Sequence, residues 1–235
     1  MPTLLDQPPI GLLPTELNQG DRLTQREFHE IYSKMPKHVR AELIGGIVHM
    51  ASPMKRLHGR NQGPLATVFQ VYESGTPGVE SGLSTTFIMD VDNEPQPDLS
   101  MIVNPEFGGQ CHEDDRGYLN GAPELVCEVS DSTRSTDLNS KRREYQATGV
   151  LEYLVLNLRD QKLHWYDFAK NDDLQHAPDG IYRIRTFPGL WIHGPALIAR
   201  DAKQLLATLQ LGIASPEHAE FVLHLEARRA AHAKA

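Results

Sequence analysis

Glu128 stands inside the apolar run Leu125-Val126-Cys127-Glu128-Val129, and Lys141 falls in line with Leu138 and Tyr145 on the segment that follows. A strand alternates its side chains, which puts Leu125, Cys127 and Val129 on one face and Val126, Glu128 and Ser130 on the other. Both faces are largely apolar, so the run reads as a central strand and its glutamate as a group kept from water. A helix over 137–148 brings Leu138, Lys141, Tyr145 and Thr148 onto one stripe, because positions three and four apart share a face. A helix that follows a strand after a short loop packs on the same sheet, so Glu128 and Lys141 can meet. Asp98 is the third candidate: it opens a β-prone run, and Pro97 restrains the residue before it to an extended form.

Two carboxylates on neighbouring strands make an oxygen-rich pocket suited to Mg²⁺, a hard cation that takes one or two protein carboxylates and keeps several waters. A lysine beside such an ion would stabilise the negative charge of a phosphorane-like transition state. It would also orient or deprotonate the attacking water if burial lowered its pKa. The competing reading is a buried Glu128–Lys141 ion pair without metal, with Asp98 an ordinary turn residue. Such a pair adds little net stability after desolvation, which weakens it as a reason for the placement.

The elements that must position these groups are legible from periodicity and punctuation. Leu23, Phe28, Ile31, Tyr32 and Met35 recur at helical spacing, and Thr24 with Glu27 forms a capping-box pattern. "AELIGGIVHMAS" predicts a hairpin turning at Gly45-Gly46. The stretch 59–74 predicts a helix from about Pro64, with Gly75 just past its end. Residues 78–92 and 96–104 read as strands, and 105–121 as a polar, glycine-containing loop. Gly149 closes the helix that begins at Asp137. Two strands with a turn at Arg159-Asp160-Gln161 follow, then the strand pieces "IYRIRTF" and "LWIHG", and two helical segments broken near Ser215-Pro216. Trp165, Trp191 and Cys127 read as core. The order predicts an α/β or α+β fold with a mixed sheet.

With 235 residues, 40% of them hydrophobic, the chain has enough apolar material for one sizeable core. No run approaches the roughly 18 apolar residues of a membrane span, and the N-terminus lacks the pattern of a signal peptide. The two cysteines, Cys111 and Cys127, fit no zinc spacing, and a soluble cytoplasmic protein is expected. The net charge of −8 argues against a large non-specific grip on nucleic acid. It leaves room for local basic strips, of which "SPMKRLHGR" and "SKRREY" are the two candidates; each can equally be a solvated face.

Pro97-Asp98, Glu128-Val129-Ser130, Asp137, Lys141, Tyr145, Gly149-Val150 and Glu152-Tyr153 together resemble the Uma-type restriction-endonuclease family of the PD-(D/E)XK nuclease superfamily. "AELIGGIVHMASP" followed by His58 is similar to that family's N-terminal hairpin segment, and the likeness runs from about Leu23 to Leu190. The resemblance implies a restriction-endonuclease-like α/β fold: a mixed central sheet flanked by helices, with an N-terminal helix-hairpin segment and a C-terminal helical extension. It implies Asp98, Glu128 and Val129 as ligands of Mg²⁺, with Mn²⁺ as a possible substitute. The superfamily's lysine normally lies two residues after the acid, where this chain has Ser130; Lys141 on the next helix is implied to take its role. Glu42 becomes an auxiliary acid, or else a surface strand carboxylate. His58, Ser130 and Tyr145 complete the expected pocket. The Gly45-Gly46 turn departs from the family's commoner Asp-Gly.

The expectation is therefore a metal-dependent endonuclease hydrolysing DNA phosphodiester bonds. The alternative is a non-catalytic module of the same fold that binds nucleic acid or protein. Three segments are expected: an arm (1–22), the nuclease-like domain (23–200) and a helical extension (201–235). Phe221, Val222 and Leu225 form a stripe on the last helix that docks either on its own core or on a second copy, and a homodimer is the expectation.

Overall fold

The computed structural model describes residues 16–131 and 133–234, so most of the expected arm lies outside the described residues. Helix α1 (Gln25–Tyr32) opens with the capping box read from the sequence. Thr24 accepts from the Glu27 N–H, and Glu27 accepts from the Thr24 N–H at 2.9 Å. Phe28 and Ile31 on α1 bury against the hairpin of β1 (Ala41–Ile44) and β2 (Ile47–Met50), sharing a small core with Leu43 and Val48. The hairpin turn needs two left-handed residues, and Gly45 (φ 57°) and Gly46 (φ 71°) supply them. A Cβ at Gly45 would lie 3.2 Å from the Glu144 carboxyl group, which gives a physical reason for glycine rather than aspartate at this position.

Helix α2 spans Arg56–Ser74, so Pro64 is interior to it and not near its start as expected. The buried stripe Asn61, Leu65, Val68, Phe69 and Tyr72 begins upstream of the proline, and its packing outweighs the lost backbone bond. His58 accordingly sits in the first turn of α2 rather than on the loop before it. The single strand expected over 78–92 is two: β3 (Val79–Leu83) ends at Ser84, which has φ 51°, and β4 (Phe87–Ile88) leaves the main sheet. After β5 (Leu99–Val103), the segment 105–121 is more ordered than a loop. A 3₁₀ turn leads to β6 (His112–Glu113) and β7 (Leu119–Asn120), and β7 pairs with both β4 and β6.

Strand β8 (Leu125–Ser130) is buried along its whole length. The helix expected after it starts as a π-helical stretch, Thr136–Lys141, and becomes regular only as α3 (Arg142–Thr148). Gly149, with φ 98°, ends it as expected. Strands β9 (Glu152–Asn157), β10 (Lys162–Asp167) and β11 (Asp172–Leu174) complete a six-stranded sheet in the order β11-β10-β9-β8-β5-β3. β8 and β9 run parallel, joined through α3, and the other neighbours are antiparallel.

The hairpin β12 (Ile181–Arg183) and β13 (Trp191–His193) precedes α4 (Gly194–Ala199), α5 (Ala202–Ile213) and α6 (Pro216–His232). One sheet face carries Leu99, Leu125, Cys127 and Leu154, covered by α2, α5 and α6 through Phe69, Leu209 and Leu225. The other carries Val126, Tyr153 and Val155, covered by Tyr145 of α3. This is the mixed sheet that the element order predicts, flanked by helices as the resemblance implies. The α6 stripe docks on its own core, where Leu225 is buried and Phe221 meets Phe187 edge-on. Trp165 is buried as expected; Trp191 is only partly so, and its Nε1 donates to Glu217 at 2.7 Å.

Candidate active site

The antiparallel ladder between β5 and β8 pairs Leu99 with Cys127, which places Asp98 and Glu128 side by side where the ladder stops. Beyond that pair the backbone bonds are replaced by carboxylates. The Asp98 N–H donates to Glu128 Oε2 at 3.2 Å, and the Val129 N–H donates to Asp98 Oδ2 at 2.8 Å. Each acid is thus oriented by the other's strand. His58 on α2 meets the second Asp98 oxygen, with Nε2 3.0 Å from Oδ1. Gln62, one turn further along, donates to the Asp98 carbonyl at 3.0 Å.

Lys141 closes the π-helical stretch and points at the same acids. Its Nζ lies 2.8 Å from Glu128 Oε1 and 2.9 Å from Glu42 Oε1. The Tyr145 hydroxyl donates to Glu128 Oε1 at 3.0 Å. The stripe of Lys141 and Tyr145 therefore reaches Glu128 as the spacing predicts, and β1 brings Glu42 in from the other side. Only 5% of the Glu128 side chain and 7% of Lys141 is exposed, against 17% of Asp98 and 19% of Glu42. A cleft of about 570 Å³ opens over these four groups, and His58 and Asp137 also line it.

Asp137 and His49 also line the cleft, and neither was among the expected site residues. Asp137 is buried four positions before Lys141, held by the Thr133 hydroxyl at 2.5 Å. That spacing was visible as an i, i+4 acid–lysine pair. His49 pairs with Glu42 across the hairpin, a register that the two-residue turn at Gly45-Gly46 already fixes, so this signal was present in the sequence.

Burial pushes the Glu128 carboxyl well above its usual range; Lys141 opposes the shift while Asp98 and Asp137 add to it. Burial also raises Asp137. Burial alone would lower Lys141, but the charges of Glu128, Glu42 and Asp137 outweigh it and hold the ammonium well above its ordinary value. The surrounding carboxylates therefore favour the protonated form of Lys141. The base role was conditional on burial lowering the Lys141 pKa, and beside these carboxylates the shift runs the other way. The hydrogen bond to Asp98 raises His58, and burial lowers His49.

Among the described residues no group of three or more His, Cys, Asp or Glu side chains is arranged to enclose a metal ion. The donor chemistry nonetheless suits Mg²⁺, which takes one or two carboxylates and keeps its other positions for water. The lining holds five carboxylates, Glu42, Asp98, Glu128, Asp131 and Asp137, against Arg40, Lys55 and Lys141 and the imidazoles of His49 and His58, so carboxylates exceed the fixed cations. The residues fit a hard divalent cation.

The model of the Uma2 family, described as "Putative restriction endonuclease", matches residues 26–195. The chain belongs to the Uma2 family. A crystal structure of "a putative nuclease belonging to DUF820 from Anabaena variabilis ATCC 29413" is similar to it in fold, with a TM-score of 0.53 and 14% sequence identity. The likeness covers 77% of this chain and 97% of that one. No curated protein matches the chain. The matched Uma2 segment contains Glu42, Asp98, Glu128 and Lys141, the groups that meet at the cleft.

Proposed function

We propose that this Uma2 chain is a divalent-metal-dependent endonuclease that hydrolyses DNA phosphodiester bonds in the cleft between its hairpin and central sheet. The observation that supports it most is the crossed pair Asp98–Glu128 at the ends of β5 and β8, both opening on the cleft. Asp98, Glu128 and the Val129 segment would hold Mg²⁺ or Mn²⁺, which supplies Lewis-acid polarisation of a phosphoryl oxygen and a more acidic water. His58 and the Val129 N–H orient Asp98, and Tyr145 orients Glu128. Lys141, kept protonated, stabilises the extra negative charge of the transition state. Glu42 is a positioning residue that holds the ammonium from the side opposite Glu128.

Among the described residues no helix is long and apolar enough to cross a membrane. A cytoplasmic setting belongs to the same proposal, with Cys111 and Cys127 both free and buried. So does a homodimer, since cutting two strands pairs two sites; because the α6 stripe is already covered by its own core, the contact would lie elsewhere.

One observation favours the alternative of a binding module without catalysis: Lys141 already engages the Glu128 oxygen that an ion would otherwise use. Single-turnover hydrolysis of labelled DNA separates the two. The nuclease cuts with Mg²⁺ or Mn²⁺, stops in chelator and loses about 100-fold or more in Asp98→Asn, the scale of removing an electrostatic catalytic group. A chain that binds DNA but never cuts it with either ion is the binding module.

A further inference from the structure

Residues 51–55, which join β2 to α2 beside the cleft, and Arg56 and Leu57 at the start of α2 are all exposed. Lys34, Arg116, Arg134, Arg142, Arg183 and Arg185 pair with carboxylates elsewhere on the surface. Lys55, Arg56 and Arg60 form no such pair among the described residues. Three neighbouring free cations on a chain of net charge −8 make a local site for a polyanion. Two large apolar side chains stand among them, Met54 at 62% and Leu57 at 46% exposure. Met54 and Lys55 also line the cleft, with Arg40 on its other edge. His58, which touches Asp98, lies between the cations, so the strap and the acids are one continuous surface. The helix face between Arg56 and Arg60 is open: a Cβ at Gly59 would meet nothing within 4 Å.

A DNA duplex turns its phosphates outward and hides the faces of its bases. Lys55, Arg56 and Arg60 would suit that exterior, but Met54 and Leu57 would reach base faces there only by unstacking and kinking the duplex, at a cost of about a few kcal/mol per step. An unpaired strand offers both chemistries at once, phosphates for the cations and base faces for the apolar side chains. We propose that Met54–Arg60 grips an unpaired DNA strand, Lys55, Arg56 and Arg60 on its phosphates and Met54 and Leu57 on its bases, and leads it into the cleft. The choice of DNA rests on the nuclease reading; the preference for an unpaired strand rests on the strap.

The test is fluorescence anisotropy of the full chain in chelator, with a labelled single strand and a blunt duplex of the same sequence, over a range of salt. The single strand should bind more tightly. The double variant Met54→Ala/Leu57→Ala should weaken single-strand binding at least about fivefold at unchanged salt slope. The triple variant Lys55→Ala/Arg56→Ala/Arg60→Ala should flatten the log–log salt slope by about 2, since each phosphate contact contributes about 0.7. All five side chains are exposed, so unchanged melting temperatures establish that the variants fold. No binding, equal binding of both forms, or full single-strand affinity in the apolar variant overturns the proposal. Binding is read without metal or cleavage. A chain that grips single strands but never cuts therefore refutes the nuclease reading alone, and one that cuts while the strap variants bind normally refutes the strap alone.

Discussion

Replacing Lys141 with methionine removes the ammonium from between two carboxylates at 2.8 and 2.9 Å, one of them Glu128 with 5% of its side chain exposed. Unpairing a buried charge costs about 3–5 kcal/mol. Glu128 can limit the loss by taking a proton, since burial already pushes its carboxyl up. A carboxylic acid that keeps its proton in the fold and gives it up on unfolding loses stability as pH climbs past its unfolded value. That value is about 4.3 for glutamate, and the loss grows by about 1.4 kcal/mol per pH unit until the folded group ionises. The deficit of Lys141→Met should therefore be small near pH 4.5 and reach about 3–4 kcal/mol near pH 7, a fall in Tm on the order of 10 °C. Adding Glu128→Gln removes the charge and should recover most of it. Urea titrations of wild type, both single variants and the double variant across this pH range measure each step. A Lys141→Met deficit that is independent of pH and not recovered by Glu128→Gln would refute the coupling.

Three other perturbations have definite signs. Gly59→Ala should stabilise the chain by about 0.5–1 kcal/mol in a urea titration, because the site is helical and open. Gly45→Asp should destabilise it by about 1 kcal/mol or more, since φ is 57° and the new side chain meets the Glu144 carboxylate; Glu144→Gln should recover part of the loss. His218 is held below its ordinary pKa by burial, with Nε2 2.9 Å from the Thr76 hydroxyl. Its unfolded form takes up the proton first, so this contribution to stability is lost as pH falls below about 6.5, and His218→Gln should show a flatter urea midpoint between pH 7 and 5.

The groups at the site were legible because local periodicity determines them. Glu128 in an apolar strand and Lys141 and Tyr145 on one helical stripe meet as the spacing requires. Asp98 was legible as the head of a strand, but its crossed bonds with Val129 and Glu128 depend on the β5–β8 register, which no local pattern contains. His49 was within reach of the sequence, because a two-residue turn at Gly45-Gly46 sets it opposite Glu42. Pro64 misplaced the start of α2 because tertiary burial of Asn61, Leu65 and Phe69 overrode a local preference. The π-helical stretch was not foreseen, although Thr136, Asp137, Asn139 and Ser140 are weak helix formers. The direction of the Lys141 shift depends on acids from three separate segments, Glu128, Glu42 and Asp137, whose charges together oppose burial.

Asp98 and Glu128 together are proposed to hold the ion that hydrolysis requires. Anomalous diffraction from a crystal of the full chain soaked in Mn²⁺ tests it most directly. The account predicts one peak in the cleft, about 2.0–2.2 Å from an oxygen of each carboxylate. It also predicts that the peak is missing from crystals of Asp98→Asn. Mn²⁺ bound elsewhere, or a cleft without anomalous signal in the wild-type crystal, would contradict it.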